Sequence, residues 1–260
     1  MSRALHAEWT KQRTIAGTGW LLLGAITLTV AISVVVTLAT TYASAGGGQD
    51  LTKLSLTGVY LGQAIIAILA VLTITSEYSS SMIHITLSAI PRRPTLLAAK
   101  AAVLSALVLG AGTVAVLGCV LAGRLILPSG GFTAAHGYPL PSLCHGPTLR
   151  AAAGSVLYLA LIALLSLGIA TAVRDSAIAI AIGLVLGLLY LFPIFAHLVT
   201  SPRLERHLEQ IGPMTAGLSI QATTNLRSLP IAPWAGLGVL AAWAAAALLT
   251  GGLLLTLRDA

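Results

Sequence analysis

The sequence predicts an all-α, polytopic integral membrane protein, one domain of six spans, and three observations carry that expectation. Of 260 residues, 57% are hydrophobic and only 8% charged, against about 25% charged in an ordinary soluble domain. The charges stand apart from the apolar residues. Arg13, Asp50, Lys53, Glu77, Lys100, Arg124, Arg150, Arg174, Asp175, Arg203, Arg227 and Arg258 flank or interrupt long uncharged stretches, each able to supply the about 20 apolar residues that cross a hydrocarbon core. Backbone polar groups cannot be left bare in lipid, so a span is a helix or part of a closed barrel. Barrel strands alternate apolar and polar side chains, whereas the run 177–189 is apolar on every face. Helices follow.

The first span is placed near Ile15–Tyr42. The Ala43-Ser44-Ala45 that follows resembles a signal-cleavage site, but the run before it is far longer than the roughly 7–15 apolar residues of a signal peptide. It is expected to remain as a span. The second span, near Leu56–Thr75, holds Gln63, the most polar side chain well inside a predicted span. A polar group at that depth faces protein or a cavity, so Gln63 is a candidate for a cargo path or for a hydrogen bond to a neighbouring helix. The third span is placed near Thr95–Gly123, the fourth near Ala151–Ala172, the fifth near Ala177–Val199 and the sixth near Ala232–Leu257. Gly183 and Gly187 form Gly-x-x-x-Gly in the fifth, a spacing that lets helix backbones approach closely. The Pro-, Gly- and His-containing stretch 128–147 reads as an irregular loop. Within 200–230, Leu204, His207, Leu208 and Ile211 recur at helical spacing, with Arg203, Arg206 and Glu209 on other faces, which predicts a surface helix.

An even number of spans puts both termini on one side. With the N-terminus inside, Arg3, Lys11, Arg13, Arg92, Arg93, Lys100, Arg174 and Arg258 are cytoplasmic, while Lys53, Arg124, Arg150, Arg203, Arg206 and Arg227 are external. The first span decides: Arg3, Lys11 and Arg13 precede it, and a glycine-rich stretch with Asp50 and Lys53 follows. The positive-inside rule then gives N-in, C-in.

Absent motifs narrow the function. Lys11, Lys53 and Lys100 are the only lysines and none follows a glycine, so the chain lacks the Gly-Lys-Ser/Thr of a phosphate-binding loop. The seven acids (Glu8, Asp50, Glu77, Asp175, Glu205, Glu209 and Asp259) lie at predicted span ends or in loops, which disfavours a proton-coupled carrier. No His-Glu-x-x-His occurs, and His136, Cys144 and His145 fit no zinc spacing. No catalytic residue and no metal site is expected. Cys119, in the third span, and Cys144, in the next loop, are expected as unpaired thiols. The net charge of +7 is spread over loops on both faces, which gives no nucleic-acid footprint.

The segment 76–90 is the most specific in the chain. At about 100° per residue, Glu77, Ser80, Ser81, His84 and Ser88 share one stripe, while Tyr78, Met82, Ile83, Ile85, Leu87, Ala89 and Ile90 fill most of the rest. That is an amphipathic helix, ended by Pro91 and Pro94 with Arg92 and Arg93 between them. Periodicity alone leaves two readings: a helix in the headgroup layer anchored by Arg92 and Arg93, or one that docks on a protein.

The run Glu77-Tyr78, then Ile83-His84-Ile85-Thr86-Leu87-Ser88-Ala89-Ile90-Pro91-Arg92-Arg93, then Leu97-Ala98-Ala99-Lys100, resembles the cytoplasmic loop of type-2 ATP-binding-cassette (ABC) export permeases. The six-span layout with a basic-flanked inner loop after the second span is similar over the whole chain. Ser79, Ser81 and His84 depart from the Arg, Gly and Arg usual at those positions, so this stripe is less basic.

The resemblance implies a plasma-membrane (inner-membrane) permease that works as a homo- or heterodimer, each half docked on a separate cytosolic ATPase subunit. ATP and Mg would be bound by that partner, and this chain would bind no cofactor and would not itself be an enzyme. The amphipathic segment between the second and third spans would be the coupling helix. Glu77, Tyr78, Ser81, Met82, Ile83 and His84 would contact the ATPase, Arg92 and Arg93 would hold the helix at the membrane, and Arg174 and Asp175 would form a second cytoplasmic contact. Gly183 and Gly187 would lie near the dimer seam, and residues 200–230 would carry short re-entrant or surface helices. The expected function is export of an amphipathic or apolar cargo, such as a drug, lipid or lipophilic peptide. Two alternatives stand beside it: a membrane scaffold or sensor whose amphipathic loop binds a regulatory partner, and a secondary carrier, for which no internal repeat is visible.

Overall fold

Uncharged runs become long helices, and they pack around the one that is buried along most of its length. The computed structural model describes residues 2–14, 16–42, 48–79, 93–133, 138, 140–173, 185–198 and 201–257. The helices, in chain order, are α1 (Ser2–Thr14), α2 (Ala16–Ala39), α3 (Leu51–Ser55), α4 (Val59–Ser79), α5 (Arg93–Ile126), α6 (Gly146–Val173), a π-helical segment (Gly187–Leu191), α7 (Phe192–Leu198), α8 (Pro202–Ile211), α9 (Pro213–Leu218) and α10 (Pro233–Leu257). Among the described residues all regular structure is helical.

Four helical stretches are long and apolar enough to cross a membrane: Ala16–Ala39, Thr95–Ile126, Gly146–Val173 and Pro233–Leu255. They cover the predicted first, third, fourth and sixth spans. The predicted second and fifth coincide with shorter apolar helices, Val59–Thr75 and Gly187–Leu198. Part of the fifth, including Gly183, lies outside the described residues.

The second is short for a visible reason. Its first turn starts well below the end of α2, since Gly58 donates its backbone N–H to Ser33 Oγ at 3.0 Å. Ser33 lies six residues before Ala39, about 9 Å along a helix at 1.5 Å per residue. The depth above is filled by α3, whose Leu51, Thr52 and Ser55 are buried. Asp50 caps α3 by accepting from the Lys53 N–H at 3.1 Å.

α6 is the central helix. It packs against α4, α5 and, most extensively, α10, while α2 lies across α4 and α5 on the other side. Tyr158, Ile162, Leu165 and Leu167 of α6 are fully buried. Lipid tails are as apolar as leucine, so packing rather than hydrophobic exclusion holds such helices together, and small residues set the approach. A Cβ at Gly58 or Gly62 would overlap Thr29 of α2, and one at Gly168 of α6 would lie 2.5 Å from the Ala247 carbonyl carbon of α10. Buried hydroxyls return their protons to their own helix: Thr29 to the Ala25 carbonyl at 2.6 Å, Ser166 to Ile162 at 2.7 Å and Thr171 to Leu167 at 2.6 Å. With no water in the membrane core, that self-pairing satisfies them.

The predicted helix within 200–230 is present as α8, and a second helix follows it. Gly212 is extended and ends α8, so the Ile211 carbonyl has no further turn of its own helix to accept from. Trp243 Nε1 of α10 donates to that carbonyl at 2.8 Å. Trp243 is ten residues on from Pro233, about 15 Å along α10. The hairpin therefore dips well into the bundle. It climbs out along α6: a Cβ at Gly217 would press on the Tyr158 ring, Gln221 Nε2 donates to Ser155 Oγ at 3.1 Å, and Arg150 donates to the Ala222 carbonyl at 2.5 Å.

Candidate functional site

Three polar groupings are built into this apolar bundle, one in its interior and one toward each end. The interior one centres on Gln63, which is fully buried. The Tyr158 hydroxyl of α6 donates to Gln63 Oε1, and Gln63 Nε2 reaches Met214 Sδ of α9 at 3.4 Å. One side chain thus joins α4, α6 and the re-entrant hairpin. One helical turn earlier on α4, the Tyr60 carbonyl accepts from the Tyr190 hydroxyl, which projects from the π segment. π turns carry one surplus residue and recur where a side chain must be re-aimed. Here the re-aimed residue ties the fifth apolar helix to α4.

The second grouping lies where α1 meets α5. Lys100 and Glu8 form a buried ion pair, and the buried Gln12 accepts from Thr18 Oγ1 at 2.9 Å. α1 is largely polar, yet it is held by α5 rather than projecting from the bundle. This end also carries the junction predicted to couple to a partner: α4 ends at Ser79 and α5 begins at Arg93.

The third grouping caps the opposite end. Asp50 accepts from Thr223 N at 2.5 Å, Thr223 Oγ1 at 2.7 Å and Thr224 N at 3.1 Å, and so latches the strand of chain leaving the hairpin to the start of α3. Beside it, Tyr42, Phe132 and Tyr138 meet edge to face, with ring centroids 5.3–6.1 Å apart. A cavity of about 570 Å³ opens between these two features, lined in part by Tyr42, Thr52, Tyr138, His145, Thr148 and Thr223. The predicted irregular loop 128–147 supplies one wall of this cap.

Of the residues picked from sequence, Ser81, Met82, Ile83, His84, Arg92, Arg174, Asp175 and Gly183 lie outside the described residues. Glu77 and Tyr78 stand in the last turn of α4, and Arg93 is the first residue of α5, so the backbone brackets the amphipathic segment. Gly187 begins the π segment, where an added Cβ would meet only Leu191 of the same segment, at 3.8 Å. The close helix approaches inside the chain use other glycines. Gln63 is placed by hydrogen bonds to two neighbouring elements. Sequence reasoning passed over Tyr158, Glu8, Lys100 and Asp50, although a lysine and a glutamate near predicted span ends are the kind of opposite charges that pair.

Chemically, the interior offers hydrogen-bonding and apolar surface without net charge. Among the described residues the buried charges are Glu8 and Lys100, which neutralise one another. The family model described as ABC-2 family transporter protein matches residues 4–193. That stretch runs from α1 into the fifth apolar helix and includes one of the three polar groupings whole, the one around Lys100 and Glu8, with Gln63, Tyr158 and Asp50 of the other two. Among curated proteins none matches the chain. The chain belongs to the ABC-2 transporter family.

Proposed function

We propose that this ABC-2 family member is the membrane-spanning permease subunit of an ATP-driven exporter, crossing the plasma membrane six times with both termini inside and working as a dimer. The family match over residues 4–193 carries the reading. The resemblance of residues 77–100 to export permeases supports outward movement. The work comes from a separate ATPase subunit that binds ATP and Mg, and the segment 77–90 is the coupling helix that receives it. Glu77 makes the polar contact, Tyr78, Met82 and Ile83 pack into the ATPase groove, and Arg174 and Asp175 form a second contact. The chain itself binds no cofactor and hydrolyses nothing. An interior without net charge supports an amphipathic or apolar cargo, since a charged cargo would require paired counter-charges in a low-dielectric path.

The test is purification from the native membrane in mild detergent with mass spectrometry of what accompanies the chain. A stoichiometric soluble protein bearing a phosphate-binding loop, lost when residues 77–90 are scrambled, is the expected result. Recovery without any nucleotide-binding partner, repeated under crosslinking, would overturn it in favour of a scaffold or sensor. Charge reversal at Glu77 that left docking and coupled ATP hydrolysis intact would remove that residue's role.

A further inference from the structure

The capped end of the bundle carries a three-residue cluster that the permease reading does not use. His197 lies in the last turn of α7, and Glu205 and Glu209 lie four residues apart on α8. That spacing stacks the two carboxylates on one face of a helix. His197 Nδ1 is 3.0 Å from Glu205 Oε1 and 3.9 Å from Glu209 Oε1, and one donor atom from each of the three residues lies within 4.8 Å of the others.

Two features separate this cluster from an ordinary surface patch. α8 also carries Arg203 and Arg206, cations that could pair with the glutamates, yet among the described residues the glutamates' ion-pair partner is His197. The donors also come from two helices joined by a short connection, so the third is not a helix neighbour of the first two. A tetrahedral ion with ligands at about 2.0–2.2 Å sets its donor atoms about 3.4 Å apart, and the observed separations straddle that value. The His197 side chain is 61% exposed, which leaves room for water at a fourth position.

We propose that His197, Glu205 and Glu209 form a divalent-cation site that clamps the end of the fifth apolar helix to the re-entrant hairpin. One imidazole with two carboxylates is a borderline donor set, suited to zinc-class ions and poorly suited to soft Cu(I). The site draws on no part of the transport reading, because binding is measured without cargo or ATPase and stands or falls alone.

Zn²⁺ is the probe, titrated by calorimetry into the purified full chain in detergent, with Co²⁺ as its visible-absorbing substitute. A single site is expected, weakened at least tenfold in His197→Ala and in Glu205→Gln/Glu209→Gln, and retained in His207→Ala on the same helix. Equal binding by the wild type and both site variants means an adventitious ion only and overturns the proposal, as does no binding by the wild type. X-ray absorption of the zinc-loaded wild type needs no variant to fold. A shell of one imidazole with oxygen ligands is expected, and a sulfur-containing or all-imidazole shell overturns the assignment.

Discussion

Lys100 places its ammonium 3.0 Å from both carboxylate oxygens of Glu8, with the two side chains 0% and 6% exposed. The pair joins a polar N-terminal helix to the third apolar helix, at the end of the bundle where α5 begins. Removing one member of such a pair leaves the other charge buried and costs about 3–5 kcal/mol, whereas replacing both by apolar residues of similar volume is often close to neutral. Lys100→Met and Glu8→Leu are each expected to lower thermal stability in detergent strongly, and the double variant to recover much of the loss. Singles that melt like the wild type would mean that α1 is not held by this contact.

Tyr158 and Gln63 predict a smaller effect. Tyr158→Phe keeps the packing and removes the donor to Gln63 Oε1. An acceptor left unsatisfied in the interior costs about 1–3 kcal/mol. The variant should unfold at a lower temperature than the wild type, and Gln63→Leu should offset part of that loss when added to it. Additive losses in the double variant would mean that the two side chains do not act as a pair.

Asp50 is the latch of the cap, and Asp50→Ala removes four hydrogen bonds at once. Bonds to a charged acceptor are worth about 1.5–3 kcal/mol each when isolated. Local opening should therefore rise by more than tenfold. Hydrogen exchange read by mass spectrometry is expected to speed up in peptides spanning 219–230, while peptides from α6 keep their protection. Unchanged exchange at 219–230 would show that the chain is held there by other contacts.

The two thiols give a test of orientation. Cys144 is exposed and Cys119 is buried in α5, so a thiol reagent should modify the first and spare the second in the folded protein. In sealed cells, a membrane-impermeant maleimide applied from outside is expected to label Cys144 and to fail in Cys144→Ser. Labelling only after the inner face is opened would invert the proposed topology.

Much of the fold could be read from sequence, because lipid forces each uncharged run long enough to span into a helix. α2, α5, α6 and α10 lie close to their predicted limits for that reason. The second span was harder to delimit. A start at Leu56 follows hydropathy, but the chain turns at 56–58 and begins α4 at Val59, because Gly58 sits against Thr29 and Ser33 and no hydropathy window senses a neighbour. The helix within 200–230 was visible in the spacing of Leu204, Leu208 and Ile211. Its dip into the bundle was not, since it depends on Trp243 of α10 donating to the Ile211 carbonyl where Gly212 ends α8. Gln63 was conspicuous as a polar residue in an apolar run, but its partners Tyr158 and Met214 are residues that apolar helices carry without comment. Asp50 gave no signal at all. A lone acid in a glycine-rich loop looks solvated until Thr223 arrives from the far end of the chain.

The π segment sets the angular phase of everything after it. Each residue of an α-helix turns the chain by about 100°, and a π turn accommodates one residue beyond the α repeat. Tyr190, inside the segment, points at Tyr60, and His197, seven residues on, points at Glu205. Deleting one residue between them would swing His197 through nearly a third of a revolution while Tyr190 stayed where it is. The surplus residue therefore works as a phase shifter on a single shaft, keeping an internal contact and a surface contact in step although no atom joins them directly.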